Sequence, residues 1–334
     1  MLNPVPLKPE LSEDQGMKVL VGAGKRNFPE DLAEELREHA EVEYASPGAP
    51  LYSELLREAD AAIVGMETVD QGYLDKAPRL GIVARFGVGY DSVDVESCTR
   101  RGVHVTHTPG VLSGAVADLT WGLILSVMRG IPDSDSYVRE EWANRARRLP
   151  FGADTEGKTL GILGLGRIGG EVAKRAQGFD VTVIYHDVVK RPELEASLGV
   201  EFREFDDLLE EADIVTIHVP LMPSTRGLIG RRELELMKST AYIINTSRGP
   251  VIDQTALVEA LEKSVIKGAG LDVFEVEPLP LGDRLAELEN TVLTSHIGSA
   301  TAETRRQMAV VCYENVKAFL KGETPPNLVP EQRS

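Results

Sequence analysis

The sequence predicts an α/β protein of two units, each with a doubly wound parallel sheet that helices cover on both faces. The 334 residues exceed what one ordinary core accommodates. From Met17 onward, short β-branched runs alternate with amphipathic helical stretches, which is typical of parallel sheets. A polar, arginine-rich stretch at 139–148 interrupts the alternation, which then restarts. The interruption predicts a boundary between the units nearby.

The first unit is predicted from five strand-like runs, with a helical stretch at 30–39 between the first two. The predicted strands cover residues 17–21, 41–44, 61–64, 81–84 and 103–106. Residues 1–16 are rich in proline and charge and offer no periodic apolar face, so they are predicted to be a disordered extension.

The second unit is predicted to be larger. A long apolar helix at 114–128 precedes the interruption, and six strands follow it. These predicted strands cover residues 159–163, 181–184, 213–217, 241–244, 268–273 and 291–294. The final amphipathic helix, at 301–320, has no strand after it and is therefore predicted to pack against the first unit.

Composition excludes several classes of partner. The 53 acidic and 36 basic side chains give a net charge of -17, which repels nucleic acid and anionic membranes. The two cysteines, Cys98 and Cys312, are too few for a disulfide framework and lack zinc-site spacing, so we predict buried reduced thiols and no metal. No apolar run reaches membrane-spanning length, and the first residues lack the order of a signal peptide. A cytoplasmic location is predicted.

A glycine-rich turn follows the first strand of the second unit. The pattern Gly164-Leu-Gly166-Arg-Ile-Gly169 is weak by itself, but between a strand and a helix it predicts a dinucleotide site. Gly164 permits the tight turn, Gly166 lets the backbone approach a pyrophosphate, and Gly169 lets helix and strand pack closely. Arg167 and Ile168 offer backbone N–H groups at the helix N-terminus, where the helix dipole favours an anion.

The next predicted strand runs into His186-Asp187, and Asp187 lies about 20 residues beyond the glycines. A carboxylate there accepts hydrogen bonds from ribose hydroxyls and repels a 2′-phosphate, which favours NAD over NADP. Lys190 and Arg191 are counter-evidence, because nearby cations accommodate a 2′-phosphate. A domain that binds another nucleotide, or none, remains an alternative. Past a later strand, His218 and Pro220 are predicted to border the cofactor.

Three further segments carry polar residues just past predicted strand ends, where α/β sheets bind their ligands. They are residues 245–253 with Arg248, residues 270–278 with Asp272 and Glu277, and residues 294–301 with His296. A lone arginine after a strand is usually a surface ion pair, and a lone Glu-Pro is usually a turn. Behind a dinucleotide motif, the three segments together predict a reaction site.

With these motifs the chain resembles the D-isomer-specific 2-hydroxyacid dehydrogenases, from Met17 to Val329. The resemblance implies that a Rossmann NAD-binding domain, residues 108–297, is inserted into a flavodoxin-like substrate domain made of 17–107 and 298–334. It implies NAD as the cofactor and a small 2-keto or 2-hydroxy acid as the substrate. It also implies a homodimer, in which the long apolar helix joins the domains and helps the subunits pair.

The family's site residues are carried over by matching motif. The resemblance implies that Arg248 binds substrate, that Glu277 is the partner carboxylate and that His296 is the acid/base. Asp272 is implied to touch the nicotinamide end of the cofactor. The chemistry independently supports the first three roles. A guanidinium binds a planar carboxylate and polarises a keto oxygen, and an imidazole backed by a carboxylate delivers a proton near neutral pH.

Val88-Gly89 matches the family's loop whose N–H groups hold the substrate carboxylate; a glycine-rich turn after a strand is the alternative. Segments 104–112 and 268–274 most resemble the glyoxylate/hydroxypyruvate reductase branch, with phosphoglycerate dehydrogenase as the alternative within the class. Ser295 departs from the family's usual proline, and the 142–154 stretch is shorter and differently composed than in typical glyoxylate reductases.

A rival hypothesis from another class is a nucleotide-sensing, corepressor-like binding protein on the same fold. Intact Arg248, Glu277 and His296 do not exclude it. The acidic charge and the lack of a recognisable interaction tail speak against it.

Overall fold

The structure, a computed structural model, describes residues 16–144 and 147–333. The predicted disordered extension lies outside the described residues except for Gly16. Contacts divide the described chain between Leu112 and Ser113 and between Ser299 and Ala300, so that the first unit has two segments and the second unit is continuous. The assignment of NAD binding to residues 108–297 and of substrate binding to residues 17–107 and 298–334 stays a prediction.

Strands and helices alternate along the described chain. The strands are β1 (Lys18–Val21), β2 (Glu41–Tyr44), β3 (Ala61–Val64), β4 (Ile82–Arg85), β5 (His104–Thr106), β6 (Thr159–Leu163), β7 (Thr182–His186), β8 (Glu201–Phe202), β9 (Ile214–Ile217), β10 (Tyr242–Asn245), β11 (Gly268–Leu271) and β12 (Thr291–Leu293). The helices are α1 (Glu30–Leu36), α2 (Pro50–Glu58), α3 (Gln71–Lys76), α4 (Val95–Arg100), α5 (Ser113–Arg129), α6 (Ile131–Glu140), α7 (Arg167–Ala176), α8 (Pro192–Leu198), α9 (Phe205–Glu211), α10 (Arg231–Leu236), α11 (Gln254–Glu262) and α12 (Ala302–Leu320).

The first unit is a five-stranded parallel sheet in the order β2-β1-β3-β4-β5, the order of flavodoxin-like folds. Its central strands are buried on both faces, as their unbroken apolar runs predict. The last helix, α12, packs on β4 and α1 of this unit, which confirms that prediction. The side chain of Thr301 caps it by accepting a hydrogen bond from the Thr304 N–H at 3.2 Å.

The second unit is a seven-stranded parallel sheet in the order β12-β11-β10-β9-β6-β7-β8. This is the dinucleotide-binding strand order with one strand added. All strands are parallel, and between β6 and β9 the chain changes the side of the sheet to which it adds strands. The two-residue strand β8 was not among the six predicted strands, because two residues are too short to show a period. The two sheets confirm the predicted fold class.

The long apolar helix α5 belongs to the second unit, where Trp121 donates a hydrogen bond to the Val172 carbonyl of α7 at 3.1 Å and stacks on Phe179. Within the described residues, no single helix has the length and apolarity to cross a membrane; α5 and α6 pass such a test only as a pair bent by 60°. In the first unit, Cys98 and Cys312 are free and buried, as predicted, and burial raises the pKa of each thiol to about 12.

Candidate active site

The glycine-rich turn connects β6 to α7, as predicted. Gly164 has φ +91°, and an added Cβ there would lie 2.9 Å from the His218 carbonyl oxygen. A Cβ on Gly169 would lie 2.2 Å from the Gly164 carbonyl oxygen, so helix and turn approach too closely for any side chain. Beyond Gly166 the space is open, and the N–H groups of Arg167 and Ile168 have no acceptor among the described residues. The turn therefore fits a pyrophosphate.

Asp187 follows β7 directly, and its side chain is largely buried. Its Oδ2 accepts a hydrogen bond from the Leu165 N–H of the glycine turn at 2.9 Å, and its Oδ1 accepts one from Val189 N–H at 3.3 Å. Arg191 approaches with Nη2 3.9 Å from Oδ2. The carboxylate is thus tied to the turn that fits the pyrophosphate, which is where a ribose-binding acid belongs.

His218 lies just past β9, and its backbone carbonyl packs against Gly164. Burial lowers the pKa of His218 to about 3, so its imidazole is neutral at physiological pH. Pro220 follows it on the surface, with its carbonyl accepting a hydrogen bond from Thr225 Oγ1 at 2.6 Å. The structure thus places His218 beside the glycine turn and Pro220 two residues further along the chain.

The loop after β10 carries Arg248, and the buried side chain of Asn245 shapes it. Asn245 Nδ2 donates to the Arg248 carbonyl at 2.9 Å, while Asn245 Oδ1 accepts from the Ser247 N–H at 3.0 Å and from the Ser247 hydroxyl at 2.8 Å. Arg248 Nη1 donates to the Ser247 carbonyl at 2.8 Å. One buried amide therefore satisfies both ends of the turn that presents the guanidinium.

Gly249 brings this loop against the segment that leads to Glu277. A Cβ on Gly249 would lie 1.9 Å from the carbonyl carbon and oxygen of Phe274. Such an approach is possible only without a side chain. The glycine after Arg248 thus sets the spacing between the arginine loop and the glutamate loop.

Glu277 and His296 form a hydrogen-bonded pair. His296 Nδ1 lies 2.7 Å from Glu277 Oε2, and Glu277 Oε1 accepts a hydrogen bond from the Phe274 N–H at 3.0 Å. The side chains are 33% exposed for His296 and 26% exposed for Glu277, so the pair is accessible from solvent. With Nδ1 engaged by the carboxylate, Nε2 is the ring nitrogen left to exchange a proton with a ligand.

Glu277 is held in its ionised form. Burial by itself would raise the Glu277 pKa, but hydrogen bonds from His296 and from the Phe274 N–H, with the charges of His296 and Arg248, outweigh burial and lower the pKa below its usual value. The carboxylate therefore stays negative through the neutral range, within hydrogen-bonding distance of the His296 ring.

Asp272 follows β11, and its carboxylate is turned toward the histidine loop. It accepts hydrogen bonds from Thr294 Oγ1, Ile297 N–H and Gly298 N–H at 2.6–2.8 Å. Its backbone N–H donates to the Asn245 carbonyl at 2.9 Å. The predicted contact with the nicotinamide remains a prediction for this residue.

Val88 and Gly89 lie in the first unit, in the loop after β4. His107 Nδ1 bonds the Val88 carbonyl at 2.9 Å, and Arg85 donates to the neighbouring Phe86 carbonyl. In the described chain, the N–H groups of Val88 and Gly89 donate to no protein acceptor. The loop is thus held through its carbonyls while two N–H groups stay available for an anion.

Sequence reasoning missed three residues that shape these loops: Asn245, Thr294 and His107. Asn245 and Thr294 stand in the quoted segments, so their position past a strand end was a usable signal. His107 lies one residue beyond β5, and its Nδ1 bonds the Val88 carbonyl at 2.9 Å.

Comparison with known proteins decides the family. Residues 121–298 match the model of the D-isomer specific 2-hydroxyacid dehydrogenase, NAD binding domain. A glyoxylate reductase of Thermococcus litoralis is 46% identical over 314 residues, which is 91% of this chain and 95% of that protein. The chain belongs to the D-isomer-specific 2-hydroxyacid dehydrogenases. It is an NAD-dependent oxidoreductase, and NAD is its cofactor.

Solved structures agree with this dehydrogenase fold. A protein from Thermus thermophilus matches with a TM-score of 0.85 and 41% identity, covering 94% of this chain and 100% of that one. An NADPH-dependent glyoxylate/hydroxypyruvate reductase from Sinorhizobium meliloti, in complex with NADP and malonate, matches with a TM-score of 0.85 and 32% identity over 95% of this dehydrogenase and 98% of that chain.

Proposed function

We propose that this dehydrogenase reduces a small 2-keto acid such as glyoxylate or hydroxypyruvate to the D-2-hydroxy acid, with His296 as the proton donor. The observation that carries the proposal is the hydrogen bond between His296 Nδ1 and Glu277 Oε2, 2.7 Å long, in the unit that holds the glycine turn. A carboxylate-backed imidazole delivers a proton near neutral pH, as a developing alkoxide requires.

Arg248 is proposed to bind the substrate carboxylate and polarise the keto oxygen. A guanidinium presents its donors in a fixed planar fork, which suits a planar keto acid. Asn245 and Gly249 hold the loop that carries it, and the charge of Arg248 contributes to the lowered pKa of Glu277. In the first unit, the N–H groups of Val88 and Gly89 are proposed to bind a substrate carboxylate.

NAD is proposed to be held by Gly164, Gly166 and Gly169 with the Arg167 and Ile168 N–H groups, by Asp187 at the ribose, and by His218, Pro220 and Asp272 along its length. When bound, the reduced cofactor supplies the hydride for C2. The open space beyond Gly166 and the unpaired N–H groups of the turn support this assignment.

Glyoxylate and hydroxypyruvate are expected to give a higher kcat/KM than phenylpyruvate or 2-ketoisocaproate. The names of the relatives support this expectation, because glyoxylate reductases share 43–47% identity with this chain over most of its length. A panel of keto acids with saturating NADH measures it, and chiral chromatography of the product should show the D configuration. A bulky keto acid with the highest kcat/KM would refute the substrate assignment.

NADH is expected to be preferred over NADPH, because the Asp187 carboxylate accepts hydrogen bonds from the ribose and repels a 2′-phosphate. Asp187→Ala should lower kcat/KM for NADH by about 10- to 100-fold, the value of hydrogen bonds to a charged group. Arg191→Ala is the matched control: it removes the cation next to Asp187 and should leave the NADH preference intact or widen it. A wild-type preference for NADPH would contradict the role of Asp187.

A homodimer and a cytoplasmic location complete the proposal. The stretch of the second unit that follows α5 carries four exposed apolar side chains, which supports a protein interface there. They are Ile131, Val138, Trp142 and Phe151. Two buried free thiols agree with a reducing compartment. Sedimentation equilibrium that gave the 36.4 kDa monomer mass would contradict the dimer.

A further inference from the structure

Asp272 is a buried carboxylate whose partners all lie on one short segment. Its side chain is at the end of β11 in a residue that is 1% exposed. Oδ1 accepts hydrogen bonds from Thr294 Oγ1 at 2.6 Å and from the Ile297 N–H at 2.8 Å, and Oδ2 accepts one from the Gly298 N–H at 2.8 Å. These donors bracket His296 on both sides.

The backbone of His296 needs such support. Its φ is +55°, in the left-handed region that residues with a Cβ rarely adopt. Conformations of this kind persist where the surroundings hold them. The His296 N–H donates to the Asp272 carbonyl at 2.9 Å, so the same aspartate anchors the histidine itself as well as both of its flanks.

Hydrogen bonds from residues 294–298 stabilise the negative charge of Asp272. In the described parts of the chain the carboxylate makes no ion pair, and its acceptors are filled by neutral donors from residues 294–298. An amide at this position could not accept at both Oδ1 and Oδ2, because one of the two atoms would become an NH₂ donor. Loss of one acceptor would therefore release one flank of His296.

We propose that Asp272 is a positioning residue that sets the His296 imidazole against Glu277, with Thr294 as its side-chain partner. The inference rests on the proposed function, in which His296 is the proton donor. It gives the Asp272 carboxylate a role in the histidine loop, in addition to the cofactor contact that the family resemblance implies.

The test compares Asp272→Asn with Thr294→Val and Thr294→Ser. Thr294→Val removes one donor to Asp272, and Thr294→Ser keeps the hydroxyl. We expect Asp272→Asn to lower kcat by about 100-fold and Thr294→Val by about 10-fold, in line with the loss of hydrogen bonds to a charged group. Thr294→Ser should recover most of the kcat lost in Thr294→Val, and the Kd for NADH should change by less than about twofold in both Thr294 variants.

A double-mutant cycle makes the test specific. If Thr294 acts through His296, Thr294→Val should have no further effect on kcat in a His296→Ala background. A wild-type kcat in Thr294→Val, or a Kd for NADH weakened about tenfold with kcat preserved at saturating cofactor, would overturn the inference. Because Thr294→Val replaces one side chain by another of the same shape, it keeps the inference testable if Asp272→Asn does not fold.

His296→Ala, measured in parallel, distinguishes a failure of the proposed function of His296 from a failure of the positioning role of Asp272. Near wild-type activity in His296→Ala would mean that the proposed function is wrong. An inactive His296→Ala beside fully active Asp272→Asn and Thr294→Val would mean that only the positioning role is wrong.

Discussion

His296→Ala is expected to lower kcat for keto-acid reduction by about 10²- to 10⁴-fold, the usual contribution of a positioned general acid. This corresponds to about 3–5.5 kcal/mol of activation free energy. The Kd for NADH should stay nearly unchanged, because the glycine turn and Asp187, which are proposed to bind the cofactor, follow other strands, β6 and β7. Steady-state kinetics with fluorescence titration of NADH measures both. An unaltered kcat would mean that another residue supplies the proton.

Glu277→Gln is the matched control for this prediction. It keeps the shape and a hydrogen-bonding group beside His296 but removes the negative charge that the lowered pKa of Glu277 maintains at neutral pH. Because the variant loses a negative charge next to the proposed proton donor, the decline of reduction with rising pH should begin at a lower pH than in the wild type. An unshifted profile would show that the charge of Glu277 does not act on the proton donor.

Arg248→Ala is expected to raise KM for the keto acid and to lower kcat, reducing kcat/KM by about 10²- to 10⁴-fold. Two charge-assisted hydrogen bonds of about 1.5–3 kcal/mol each account for this range. Both constants should change because the guanidinium is proposed to bind the carboxylate in the ground state and to stabilise charge on the keto oxygen in the transition state.

Arg248→Lys separates charge from geometry. A lysine keeps the positive charge but lacks the planar fork, so it should recover only part of the lost kcat/KM. Full recovery would mean that charge alone suffices. If Arg248→Ala changed KM and left kcat unaltered, Arg248 would bind the substrate without polarising the keto oxygen.

Much of the fold and the position of the candidate site could be predicted from sequence because parallel sheets impose simple rules. Unbroken apolar runs marked the buried strands, and the carboxyl ends of strands marked the site. Arg248, Asp272 and the glycine turn were found because each follows such a strand. The segments that carry Glu277 and His296 also follow predicted strands, but nothing in their spacing shows that the two loops meet, and the role of Asp272 rested on the resemblance alone.

Other features could not be predicted because they depend on contacts between distant segments. Gly249 lies against Phe274, and no local pattern distinguishes it from an ordinary turn glycine. The buried side chains of Asn245 and Asp272 form hydrogen bonds with neighbouring loops. These hydrogen bonds exist only after the strands have aligned. The predicted limits of α1 extended past its observed end at Leu36 to residue 39, where helical periodicity outlasts the hydrogen-bonded turns.

The pH dependence of both directions of the reaction tests the central claim most directly. In the proposed function, His296 donates a proton during reduction and accepts one during oxidation of the hydroxy acid, while the lowered pKa of Glu277 keeps its carboxylate ionised. The proton-donor role of His296 predicts that kcat for reduction falls with rising pH, that kcat for oxidation rises, and that the two profiles cross. Profiles that run parallel, or that persist unchanged in His296→Ala, would contradict it.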